Sequence, residues 1–243
     1  MRRFFAAPGS PPALAQDRGH ARVFIVEGGQ EAHSAARADR RRLGLQLLLL
    51  YAALEGALWS SGTLRVVFAL SAAGLAVLAV LWERRFWPVL GLAPGSIRRG
   101  LWFAPVGAGV AGLILLGAWG AHTLHVSPDS GPVWLRVGEY LLWALVQQFI
   151  LQSCLFLRLE VLLGQGFGAV AVSALLFCIA HVPNPVLMPV TLVGGLLLCE
   201  LFRRYRTVYV LALAHALVAL SLAISVPQSL LHHMRVGIAY FMS

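Results

Sequence analysis

From Leu43 onward the chain is a series of apolar runs of about 17–21 residues, close to the roughly 20 that a helix needs to cross the hydrocarbon of a bilayer. They predict an all-α, polytopic membrane helix bundle with helices at about 43–62, 66–82, 101–121, 137–157, 167–181, 186–202 and 208–226. Seven crossings follow; an eighth would need residues 228–243, which are short and polar and include His232, His233 and Arg235. Hydrophobic residues make up 59% of the 243 and charged residues 12%, far from the balance of a soluble domain.

Residues 1–42 differ in character. They are polar and rich in Arg, Pro and Gly, and read as a disordered cytoplasmic tail ahead of one membrane domain, 43–243. Gly9, Pro11 and Pro12 interrupt the apolar core that a signal peptide would need. Between the second and third runs, 84–100 alternates basic and aromatic residues, as expected of a segment lying along the membrane surface.

The net charge of +9 does not indicate nucleic acid, because the basic residues, all 19 of them Arg, cluster beside apolar runs. The partner they imply is the lipid bilayer. With the N-terminus inside, sixteen Arg fall on the cytoplasmic side and only Arg65, Arg136 and Arg235 on the other, which predicts a multi-pass protein of the cell membrane with a cytoplasmic N-terminus. Cys154, Cys178 and Cys199 lie in apolar runs at spacings that match no zinc site and read as small core residues.

Polar side chains recur inside apolar sequence only from Gln147 to Ala219, and such residues are by default candidates for function. Gln148 and Gln152 are four apart and share a helix face, with Gln147 one position round. Three amides there can tie helices together or line a wet cavity. His181 ends the fifth run, before the break Val182-Pro183-Asn184-Pro185, and His215 lies within the seventh. Each could be a satisfied core histidine. Together they can supply a general base, a donor to an oxyanion, or metal ligands, although two His without a third ligand make a poor zinc site, so no metal is assigned and the cofactor is left unknown.

The order of these motifs resembles the CAAX-protease and bacteriocin-processing (CPBP, or Abi) family of intramembrane proteases over about 137–225. That family carries Glu-Glu-x-x-x-Arg, Phe-x-x-x-His and His-x-x-x-Asn/Asp. Phe177, His181 and His215 match; Gln147 and Gln148 stand at the paired glutamates, Gln152 at the Arg and Ala219 at the Asn or Asp. The resemblance implies a hydrolase, an endopeptidase acting on a membrane-anchored peptide, with His181, His215, Gln147 and Gln148 as catalytic candidates and Gln152, Phe177 and Asn184 lining the site. In the family the first Glu acts with a His to activate water, and a neutral amide cannot take that proton. The alternative is therefore a non-proteolytic relative, a membrane scaffold or a peptide- or lipid-binding protein. Of the other carboxylates Glu55 stands out, as an acid inside an apolar helix with no partner legible in the sequence.

Overall fold

The computed structural model describes residues 18–125 and 132–242, with side chains from residue 36 onward. The chain divides into two compact units, 1–42 and 43–243. Residues 1–17 of the expected tail lie outside the described residues. From Arg18 the backbone is helical, in a helix α1 spanning Arg18–Trp59. The stretch 18–42 contains no proline, whereas Pro8, Pro11 and Pro12 all precede it, which permits a continuous helix there.

The second unit is all-α. After α1 come α2 (Gly62–Trp82), the short α3 (Pro94–Gly100) and α4 (Phe103–Gly120). Helix α5 (Val133–Gln148) runs without a break through a π-helical segment (Phe149–Phe156) into α6 (Leu157–Leu163). Then follow α7 (Phe167–Ile179), α8 (Leu187–Tyr205), α9 (Val208–Ser225) and the single turn α10 (Gln228–Leu231). Among the described residues four helices are long and apolar enough to cross a membrane: Gly62–Trp82, Phe103–Gly120, Val133–Leu163 and Val208–Ser225. Of the other expected crossings, α7 has only 13 residues and the last turns of α8 carry Glu200, Arg203 and Arg204.

Residues 84–100 form a 3₁₀ turn (Arg84–Val89) and α3. Phe86 and Leu90 turn into the core, while Arg84 stays exposed. The segment is pinned by the Trp87 indole, which donates to the Val80 carbonyl at 2.8 Å, and by Ser153, which donates to the Leu90 carbonyl at 2.7 Å. This end of the bundle also holds its buried charges. The Arg158 guanidinium is 1% exposed and donates to the carbonyls of Cys154 and Ala79 and to Gln46 Oε1 at 2.7, 2.8 and 3.1 Å. Glu160 pairs with Arg206 at 2.7 Å. Burying such groups is tolerable because each is paired or bonded to several acceptors, although Arg206 Nη1 is buried without a partner among the described residues.

Helix packing rests on small residues, as it does where apolar lipid provides no drive for helices to associate. α4 packs along α9 and α7 along α8. At Gly107 an added Cβ would sit 2.9 Å from Ala214 Cβ, and at Gly195 one would sit 3.0 Å from Ala174 Cα. These contacts set the distance of α9 and α7 from their neighbours, and hence the positions of His215 and Phe177. Gly107→Val should therefore destabilise the fold by about 1–3 kcal/mol through overpacking. Gly109→Val, where a Cβ meets nothing within 4 Å, should leave it nearly unchanged. Thermal unfolding in detergent compares the two, and equal shifts would count against this packing.

Candidate active site

The π-helical segment begins immediately after Gln148. Widening the turn to i→i+5 bonding turns six consecutive residues, Leu151 to Phe156, inward, and such segments often accompany functional sites. Gln148 and Gln152 are both fully buried, and Gln152 Nε2 donates to Gln148 Oε1 at 3.1 Å. The remaining end of the Gln148 amide, Nε2, meets His215 Nδ1 at 2.9 Å, linking α5 to α9.

His181 follows the end of α7, where Pro183 and Pro185 forbid further helix. Its Nδ1 lies 2.6 Å from the Phe177 carbonyl. The Phe177 ring packs edge-on against both imidazoles, with centroids 4.8 Å from His181 and 5.8 Å from His215. The two histidines thus share one aromatic wall.

The hydrogen bonds assign opposite tautomers to the two rings. A carbonyl can only accept, so His181 carries a proton on Nδ1, and in its neutral form the lone pair is on Nε2. Gln148 Oε1 already accepts from Gln152, so its amide nitrogen faces His215 Nδ1, which must accept, and the His215 proton lies on Nε2. One neutral imidazole presents an acceptor and the other a donor, which is the complement that acyl transfer needs.

Both rings, Phe177 and Gln147 line a large, mostly apolar chamber of about 1240 Å³. Gln147 Oε1 finds no hydrogen-bond partner among the described residues. Gln148 and Gln152 lie behind the wall and orient the histidine rather than face the chamber. Asn184 lies apart from it. Its Nδ2 donates to the carbonyls of Leu231 and Arg235 at 2.8 and 3.1 Å, and its Oδ1 accepts from the backbone of Val186 and Leu187. Asn184 therefore starts α8 and fastens the C-terminal segment across the turn that follows His181. Ala219, buried on α9, lines the chamber without polar chemistry.

Among the described residues, no Asp or Glu lines the chamber. Glu83, Glu160 and Glu200 are held by Arg85, Arg206 and the Arg203–Arg204 pair. Glu55 Oε2 accepts from the Trp59 indole at 3.2 Å, while its Oε1 is buried and unbonded. No group of three or more His, Cys, Asp or Glu among the described residues is placed to hold a metal ion. The sequence reading passed over Tyr51, whose hydroxyl donates to the Leu176 carbonyl at 2.9 Å and which lines the chamber from α1. A phenol one turn before Glu55 on an apolar helix was the available signal.

Residues 129–221 match the family model of type II CAAX prenyl endopeptidases, described as Rce1-like. Over that stretch, less than half of the chain, the sequence is Rce1-like, and the stretch contains both histidines and all three glutamines. No curated protein and no solved structure matches the chain.

The tautomer assignment can be tested with ¹⁵N-histidine NMR of the purified chain. Substitution of His181 and His215 in turn identifies their signals, and the expected spectrum has a neutral Nδ1–H ring at 181 and a neutral Nε2–H ring at 215. Gln148→Met should abolish the preference at 215 and cost about 1–3 kcal/mol, since it strands a Gln152 donor and a ring nitrogen. Two Nε2–H rings in the wild type would refute the assignment.

Proposed function

We propose that this chain is an intramembrane endopeptidase with an uncharged active site, acting on a peptide or protein held in the membrane. The observation that carries the reading is the pair of neutral imidazoles of opposite tautomer on one chamber wall, inside the Rce1-like stretch. In the proposed reaction a water attacks the scissile carbonyl and gives its proton to His181 Nε2. The carbonyl electron pair moves onto oxygen, where the Nε2–H of His215 stabilises it. Collapse breaks the C–N bond, and His181 returns the proton to the leaving nitrogen. Gln147 also lines this chamber, and its Oε1, buried and without a hydrogen bond among the described residues, can accept the second hydrogen of the attacking water only once the side chain turns toward it.

In this reading the protein is multi-pass with a cytoplasmic N-terminus, and α7 and α8 cross together with the longer helices. Supporting this are the sixteen-to-three distribution of Arg and the grouping of the Glu160–Arg206 and Glu200–Arg203 pairs on one side of the apolar spans. Reporter fusions at 84–100 and at 122–136 should report opposite sides of the membrane; the same side for both would overturn the topology.

A second reading, a non-proteolytic relative that binds a peptide or lipid in the chamber, draws support from the lack of a lining carboxylate among the described residues. One experiment separates the two. The full chain is reconstituted with a panel of membrane-anchored peptides, and cleavage is followed by mass spectrometry. General-base assistance is worth about 10²–10⁴-fold, so Gln147→Glu should raise a slow wild-type rate by about tenfold or more. His181→Ala should abolish cleavage in both backgrounds. Cleavage that survives His181→Ala refutes the site, and peptide binding without cleavage in wild type and Gln147→Glu establishes the second reading.

A further inference from the structure

The chamber extends well beyond the histidines. At about 1240 Å³ it exceeds the roughly 300–1,000 Å³ of a small-molecule site. Much of its wall comes from α1 and α2, which lie outside the Rce1-like stretch. Two of its lining residues are cationic: Arg65, near the start of α2, and Arg235, in the C-terminal segment. They belong to one end of the bundle. The Gly237 backbone lies against Leu58 at the end of α1, with no room for a Cβ, and its N–H donates to the Val182 carbonyl at 2.8 Å. Arg65 spends only its Nε, on the Ser60 carbonyl at 3.1 Å. Neither arginine has a carboxylate partner among the described residues, and both are exposed. Below Arg65 the exposed α2 residues of the chamber wall are Ala69, Ala73 and Val77, four apart on one helix face, an apolar strip along which a chain can lie.

We propose that this side of the chamber is a site for an anionic phospholipid of the bilayer, its phosphate held by Arg65 and Arg235 and one acyl chain lying along α2. Charge complementarity selects the head: the two guanidiniums are the only charged side chains among the described residues that line the chamber, and no acidic side chain lines it to repel an anion. The wall selects the tail. A peptide backbone laid along α2 would strand its amide groups against alanine and leucine, whereas a hydrocarbon chain has none to satisfy. Such a lipid would close the α1–α2 side to water while the histidines stay accessible on α7 and α9.

The test is native mass spectrometry of the full chain from nanodiscs that contain phosphatidylcholine and phosphatidylglycerol in equal amounts. Preferential retention of phosphatidylglycerol by the wild type is expected, and equal retention overturns the proposal without need of any variant. In Arg65→Gln/Arg235→Gln the preference should fall by about tenfold or more, while Arg65→Lys/Arg235→Lys should keep most of it. An unchanged preference in the Gln variant overturns the site. If the Gln variant instead loses cleavage of acidic peptides while the wild type retains both lipids equally, the arginines serve the peptide and the lipid site is refuted. His181→Ala should retain phosphatidylglycerol as the wild type does, so failure of this proposal and failure of the peptidase reading remain distinguishable.

Discussion

A single neutral amide joins the two halves of the candidate site. Gln148 receives a hydrogen bond from Gln152 one turn along, within the buried core, and makes one to the half-buried His215 on α9. The two bonds couple the three side chains: the Gln148 amide cannot turn alone without losing both, and with its nitrogen toward His215 the ring must accept at Nδ1. The close packing of α4 on α9 at Gly107 holds that bond at length. The chemistry available at the chamber wall depends on this relay more than on the chamber's shape.

The two ends of the bundle solve the problem of polarity differently. At the Arg-rich end, charges are buried and compensated, Arg158 by backbone carbonyls and Gln46, and Glu160 by Arg206. At the other end the arginines Arg65 and Arg235 are exposed, and the buried contacts are made by neutral groups: Asn184 braces the C-terminal segment, and Gln228 meets His125 at 2.8 Å. The first arrangement is rigid because breaking one partner leaves a buried charge, whereas the second can open at the expense of ordinary hydrogen bonds. His181 sits beside the second, which is the end through which the chamber could admit a substrate.

Much of this was legible in the sequence, for physical reasons that also mark where it stopped being so. Apolar runs of membrane length locate α2, α4, α5 and α9, because the period and length of an apolar helix are written residue by residue. The four-residue spacing of Gln148 and Gln152 likewise foretells their contact. The π-helical turn after Gln148 is not legible, since it depends on what packs against α5. Nor is the use of Asn184, which lies beside His181 in sequence yet turns its amide to the backbone of residues 231 and 235, contacts about fifty positions away.

Amides rather than charges at 148 and 152 suit the same geometry. A lone Glu at 148 would bury a carboxylate between an amide and a ring nitrogen, and a lone Arg at 152 would bury a guanidinium beside an amide. Either would leave an uncompensated charge in a core position with no exposure at all. Positions 148 and 152 can therefore hold two opposite charges or two amides, but not one of each, and this chain holds the amides. Position 147 is under no such constraint. Its side chain lines the chamber and is half-buried, and its buried Oε1 has no hydrogen bond to lose among the described residues. Of the three positions it is the one where charge can be added alone, so the step from an uncharged to a charged site is shortest through residue 147.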